Sequence, residues 1–236
     1  MRDLPLACAI VTGTSSGIGQ AIALKLLTEG WHVHGLDVAP AALHHAHFSS
    51  WTLDLTKSGD LEAALDQIVS KHLPQVLVHA AGVLRVGSLG ELDMQAGQLM
   101  WQLHVDVATR MANRILPIMK HARRGRMILV GSRVSSGMAG RSQYAATKAA
   151  ILSLAKSWAA ESIAEGVTVN VVSPAATDTH MLKDPSRVST APRLPPIGRL
   201  IQPDEVAAMV AYLTRPEAAA ITGQDIAICG GASLPR

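Results

Sequence analysis

Residues 7–30 read ACAIVTGTSSGIGQAIALKLLTEG, and the order of apolar run, glycine turn and amphipathic segment decides the fold. Ala7 to Val11 is continuously apolar over the length of a buried strand, and the segment after Gly19 carries its aliphatic residues at helical spacing as far as Gly30. Between them Gly13, Gly17 and Gly19 permit a tight turn with close backbone approach. The helix start beyond offers unpaired N–H groups and a positive dipole end to a pyrophosphate. A strand, a glycine turn and a helix in this order predict dinucleotide binding, with Gly13, Ser15, Ser16, Gly17, Ile18 and Gly19 as the cradle. The spacing is G-x-x-x-G-x-G in place of G-x-G-x-x-G.

The same alternation runs to the other end of the chain. Further strands are expected at His32–Leu36, Trp51–Leu55, Val76–Ala80, Met127–Val130, Thr168–Val172 and Asp225–Cys229, with helices at Gly59–His72, Gln95–Met119, Tyr144–Glu165 and Pro203–Leu213. Alternating elements imply an α/β fold, a Rossmann-type doubly wound parallel sheet of about seven strands with helices on both faces and right-handed crossovers. The 236 residues suit one domain with one core, and no linker, repeat or low-complexity segment divides them. Only from Thr177 to Pro196 does periodicity fade, which predicts a substrate loop at about 177–200.

Composition narrows the function. The chain is 48% hydrophobic but only 3% aromatic, so the core must be aliphatic and stacking platforms for bases are nearly absent. The net charge of +3 is scattered apart from His121 to Arg126 (HARRGR), which reads as a solvated loop and not a nucleic-acid patch. The opening MRDLPLACAIVTG is too short an apolar run to span a membrane and is poorly built as a signal peptide. Two cysteines, Cys8 and Cys229, are expected as buried thiols in a reducing, cytoplasmic setting. His44, His45 and His47 have no nearby Cys or carboxylate to complete a metal set, so no metal is expected.

The second strand ends at Asp37, 18 residues after Gly19. A carboxylate there accepts hydrogen bonds from both hydroxyls of an adenosine ribose and repels a 2′-phosphate. No Arg or Lys stands in the glycine turn or directly after Asp37, so the cofactor expected is NAD and not NADP. Asp54 and Leu55 close the third strand near the adenine edge, and Ala80 and Gly82 are small enough to let backbone lie along the cofactor.

Chemistry is carried by residues 132–148, SRVSSGMAGRSQYAATK. Tyr144 and Lys148, four apart on a helix, share one face at about 5 to 6 Å between Cβ atoms, so the ammonium can lower the phenol's pKa and make it a proton donor or acceptor. Ser132 sits at the carboxyl end of a strand, where ligands bind in open α/β sheets, and can reach the same substrate oxygen.

Together these stretches resemble the short-chain dehydrogenase/reductase family over nearly the whole chain. Thr12 to Gly19 is similar to its TGxxxGIG turn, Tyr144 to Lys148 to its YxxxK, Ser132 to its serine and Pro174 to Thr179 to its PGxxxT. Ile197-Gly198-Arg199 with Pro203 and Glu205, Thr222-Gly223-Gln224 and Gly230-Gly231 resemble its C-terminal pattern. The resemblance implies Tyr144 as general acid/base, Lys148 as its electrostatic partner and holder of the nicotinamide ribose, Ser132 as carbonyl polariser, and Thr179 on the carboxamide with Thr177 in the cofactor set. It also implies a homo-oligomer, tetramer or dimer.

Three positions depart from the pattern. His79-Ala80-Ala81-Gly82 replaces NNAG, Ala175 replaces a glycine, and His104 stands where the family has a catalytic-site Asn. His104 is therefore a fourth candidate catalytic residue, acting either through the carbonyl of a kinked helix that holds a relay water or through its own imidazole. The expected activity is NAD-dependent hydride transfer between the nicotinamide and a secondary alcohol or ketone. The runner-up is a reductase of 3-oxoacyl thioesters, more often built for NADP in this family. A non-catalytic nucleotide sensor is the rival from another class. Leu84, Arg133, Val134, His180 and Met181 are expected to line the substrate pocket, with Arg133 read first as a surface arginine and second as an anchor for an acid or polyol.

Overall fold

Seven parallel strands stand in the order β3-β2-β1-β4-β5-β6-β7 in the computed structural model, which describes residues 7–183 and 194–235. The strands are β1 Cys8–Thr12, β2 His32–Asp37, β3 Phe48–Thr52, β4 Pro74–His79, β5 Gly125–Val130, β6 Val167–Pro174 and β7 Asp225–Ile228. The helices are α1 Gly17–Thr28, α2 Ser58–Lys71, α3 Met94–Trp101, α4 Val107–His121, α5 Ser142–Ser162 and α6 Pro203–Thr214.

Period-two alternation along the central strands builds a core on each face. Ala9, Val11, Val76, Val78 and Ile128 face α1 and α6, against Ile22, Leu26 and Val210. Ile10, Leu36, Leu77, Met127 and Leu129 face the other way, against Leu65, Met111, Ile115 and Ile151 of α2, α4 and α5. Among the described residues Tyr144 is the one aromatic in the buried core, as the 3% aromatic content requires. The strand order reverses between β1 and β4, and this switch point opens a crevice at the carboxyl ends of the strands.

Most boundaries shift by one to three residues from expectation, and three of the shifts have structural consequences. The third strand is Phe48–Thr52 and not Trp51–Leu55, because this edge strand has only β2 to pair with and ends level with Asp37. Leu53 and Leu55 then leave the sheet and pack toward α2 and α4. The expected helix Gln95–Met119 is broken by a π-helical turn, Gln102–Asp106, between α3 and α4. β7 stops at Ile228, which leaves Cys229 half-buried where a buried thiol was expected. Of the substrate loop, Thr177 bridges Ile201 and His180–Lys183 forms a 3-10 turn. Residues 184–193 lie outside the described residues. No helix among the described residues is long and apolar enough to cross a membrane.

Candidate active site

The crevice is a single cavity of about 820 Å³ that runs from Asp37 past the start of α1 to Tyr144. All residues predicted for the site line it: Gly13, Ser15 to Gly19, Asp37, Asp54, Leu55, Ala80, Gly82, His104, Ser132, Tyr144, Lys148, Thr177 and Thr179. The expected substrate-pocket residues Leu84, Arg133, Val134, His180 and Met181 line it too.

At the cofactor end, Gly13 holds φ of +78°, and a Cβ there would come within 2.9 Å of Ala81 Cα. Only glycine lets β1 turn so close to the end of β4. α1 begins after Ser16, which makes no side-chain cap, and its first turn has no acid, so its free N–H groups are open to an anion. Asp37 accepts from the backbone N–H of Ser15 at 2.9 Å and of Ala39 at 3.1 Å, which aims its carboxylate across the glycine turn. Asp54 serves first as a local brace. Its Oδ1 accepts from the hydroxyl and N–H of Thr56, and these bonds hold its pKa below the usual carboxylate range.

At the catalytic end, Ser132 stands two residues past β5 and caps a 3-10 turn, Arg133–Ser136, where its Oγ accepts from Val134 N–H at 3.2 Å. Tyr144 and Lys148 lie on the first turns of α5, both buried, with Lys148 Nζ 5.7 Å from the centre of the Tyr144 ring. The ammonium donates to Val130 C=O at 2.8 Å, and burial draws its pKa down from 10.5 to about 8. No described carboxylate pairs with it.

His104 occupies the π turn, fully buried and edge-on to Tyr144 with ring centres 5.6 Å apart. Its Nε2 accepts from Val83 N–H at 3.0 Å. Thr147 Oγ1 gives its one proton to Tyr144 C=O at 2.8 Å, so at the 2.8 Å contact between the two side chains His104 Nδ1 must be the donor. Both ring nitrogens are therefore committed in the neutral Nδ1–H tautomer. Burial, then the Lys148 charge, hold its pKa well below 6.5. The geometry makes His104 a brace between the 80–83 segment and α5. The expected kink is present, and the imidazole has no proton to pass on without breaking the brace.

Sequence reasoning missed a second brace, built from Thr12 and His79. The two are partners in the β1–β4 register. Thr12 Oγ1 accepts from Ala80 and Ala81 N–H at 3.1 and 3.0 Å and donates to His79 Nδ1 at 2.9 Å, while His79 Nε2 donates to Leu103 C=O at 3.0 Å. The signal available in the sequence was the departure itself, a histidine at the first position of the NNAG-like segment. The two His-for-Asn positions thus tie the same strand end to the same π turn.

A family model described as Enoyl-(Acyl carrier protein) reductase matches residues 13–233. The chain belongs to the short-chain dehydrogenase/reductase family. Among curated relatives, the 3-oxoacyl-[acyl-carrier-protein] reductase FabG of Vibrio cholerae is 35% identical over 94% of this chain and 96% of its own length. The 2-keto-3-deoxy-L-fuconate dehydrogenase of Xanthomonas campestris is 33% identical over 94% of this chain and 78% of its own. Among solved structures, ligand-free Thermoplasma acidophilum aldohexose dehydrogenase superposes with a TM-score of 0.89 at 26% identity, covering 99% of this chain and 96% of that one. Membership in the family makes the protein a nicotinamide-dependent oxidoreductase.

Proposed function

We propose that the protein reduces a ketone to a secondary alcohol, or the reverse, with Tyr144 as the proton-exchanging group. One observation carries this reading: an ammonium, Lys148, is buried to 5% exposure against a phenol and a carbonyl. Burying a charge without a counter-ion costs on the order of several kcal/mol in an ordinary core, and stability alone gives no return for it. Its use is electrostatic support for the phenolic oxygen as a proton leaves or arrives. Ser132 donates to the substrate oxygen, His104 and His79 keep the 80–83 segment and the π turn in place, and Leu84 and Val134 exclude water. The nicotinamide, when bound, supplies or accepts the hydride. Gly13, Ser15 to Gly19, Ala80, Gly82, Thr177 and Thr179 hold that cofactor, with Asp54 and Leu55 at its adenine.

The FabG relatives favour a 3-oxoacyl thioester as the ketone, the substrate ranked second in the sequence analysis. That class pulls the cofactor toward NADP, whereas Asp37 pulls it toward NAD. The carboxylate already accepts two backbone N–H groups at the end of β2, and the glycine turn before it holds no cation for a 2′-phosphate. We take the local charge as decisive and assign NAD. We also keep a cytoplasmic homo-oligomer, dimer or tetramer, as part of the proposal; the half-exposed edge strand β7 is in keeping with it.

Steady-state rates with 3-oxobutanoyl thioesters and simple ketones, each with NADH and with NADPH, test both parts. The expected result is turnover with a kcat/KM for NADH more than about tenfold above that for NADPH, narrowed by Asp37→Ala. Equal or reversed preference in the unmutated protein overturns the NAD assignment, and absence of turnover on any ketone or alcohol favours the nucleotide sensor.

A further inference from the structure

The cavity wall around Tyr144 belongs to neither face of the sheet. Leu84, Met100, Val134, Tyr144 and Ala145 form a third buried cluster, apart from the two that cover the sheet, with Val83, Val86 and Met138 packed against it. Of these residues Val83, Leu84, Val134, Met138 and Tyr144 also line the cavity, while Met100 is fully buried and does not. The surface on the phenol's side of the cavity is thus the open side of an aliphatic cluster. Such a wall gains its full hydrophobic stabilisation only when an apolar group covers it.

The lining residues of this wall differ in their freedom. Leu84 and Val134 are buried, and Val134 N–H is held by Ser132 Oγ as Val83 N–H is held by His104. Met138 is half-buried on the short loop between the 3-10 turn Arg133–Ser136 and α5. Gly137, at φ of +102°, lets the chain turn out of the 3-10 turn there. The backbone on both sides is tied: Gly137 N–H donates to Val134 C=O at 2.9 Å, Arg141 N–H to Met138 C=O at 3.1 Å and Gly87 N–H to Gly140 C=O at 3.0 Å. A fixed backbone therefore presents an unbranched thioether chain to the cavity. Such a side chain changes rotamer to suit what lies against it, and its length sets where the wall stops.

We infer that Met138 is a specificity-determining residue: the ketone carries an aliphatic arm that lies along this wall, and Met138 sets how long that arm can be. This rests on the ketone-reductase reading and narrows its substrate class. Arg133, Arg141 and His180 line the same cavity, so the dependence on arm length also tests whether the arm is apolar.

The full chain is assayed with NADH and with NADPH on 2-alkanones from 2-butanone to 2-dodecanone, and on 3-oxoacyl N-acetylcysteamine thioesters over the same range of chains. Within each protein kcat/KM is read relative to the shortest member, so partial misfolding of a variant cancels. In the unmutated protein it should climb by about two- to fourfold per methylene while the arm still has wall to cover, and fall once the arm reaches Met138. Met138→Ala should move the optimum to arms longer by about two to three carbons, Met138→Trp should move it to shorter ones, and Met138→Leu, of similar volume, should leave it within about one carbon. Turnover that varies by less than about twofold along both series, a climb with no fall, or an optimum unmoved in both Met138→Ala and Met138→Trp overturns the assignment and leaves the ketone-reductase reading standing. If no ketone reacts, the reductase reading falls, and thermal unfolding with the same 2-alkanones decides the wall. A rise in Tm that peaks at one chain length and moves to longer chains in Met138→Ala upholds it; no such pattern overturns it.

Discussion

Two groups of histidines lie at opposite ends of the strands, and they differ in what their ring nitrogens touch. At the amino ends, Cys8, His34 and His72 bring a thiol and two imidazoles within 4.8 Å of one another, with His32 stacked on His72. Burial pushes the Cys8 thiol up to about 12, and burial with His32 and His72 alongside draws His34 down to about 4. The residue types suggest a metal site, yet the indole N–H of Trp51 donates to His34 Nδ1 at 3.1 Å. The neutral ring then keeps its proton on Nε2, which is out of water with no partner among the described residues. Neither nitrogen of His34 offers a lone pair to an ion. At the carboxyl ends, burial, then the charge of Lys148, draws His79 down to about 4, and every nitrogen of His79 and His104 has a partner of the right sense. His34, His79 and His104 are alike in residue type, burial and lowered pKa. The direction of each hydrogen bond separates an orphan from a brace.

The contrast is most open to attack at the catalytic edge of the carboxyl-side group. Tyr144→Phe removes the oxygen at the reacting end and leaves both braces in place. Turnover should fall by about 100-fold or more while NAD affinity and unfolding free energy stay nearly unchanged. Retention of more than a few per cent of kcat would assign the proton to another residue.

His104→Leu and His79→Leu each strand buried partners, the Val83 N–H and Thr147 hydroxyl in one case, the Thr12 hydroxyl and Leu103 C=O in the other. Each should cost about 1 to 3 kcal/mol in chemical denaturation and lower kcat moderately. His104→Asn restores an acceptor and a donor and should recover most of both. The pH profile of kcat should show no ionisation that disappears in His104→Asn. An ionisation lost there together with most activity would make the imidazole a relay and end the distinction between brace and proton carrier.

Acid should act on both groups. His34 and His79 titrate near 4 in the folded chain and near 6.5 when unfolded, with His104 lowered in the same direction. Between those values the unfolded chain binds more protons, so this stability is fully present above 6.5 and is lost as pH falls toward 4. Melting curves from pH 7 to pH 4.5 should therefore show a steady fall in Tm.

The smallest effect belongs to the amino-side group. His34→Leu removes an orphan donor together with one hydrogen bond, so its cost should stay within about 1 kcal/mol and the acid slope should become shallower. A cost as large as that of His79→Leu would show that His34 Nε2 has a partner in solution, and the contrast between the groups would fail.

Much of this architecture can be read along the chain because it depends on local order. Continuous apolar runs, the glycine turn after Thr12 and the helical spacing of Tyr144 and Lys148 each express one element at a time. The third strand is harder to bound, because β-branched and aromatic content does not say where an edge strand loses its partner. Pairing with β2 ends at Thr52, opposite Asp37.

Spacing within a few turns and the order of motifs are enough to specify the doubly wound α/β fold, the glycine cradle, Asp37 at a strand end, and the Ser132, Tyr144 and Lys148 set. Folding is needed to learn that His79 and His104 are braces, and that His34 Nε2 has no partner among the described residues. The physical reason is that a tautomer is set by what stands opposite each nitrogen. For His79 and His104 those partners are Thr12, Leu103, Val83 and Thr147, on elements that meet only when the sheet closes.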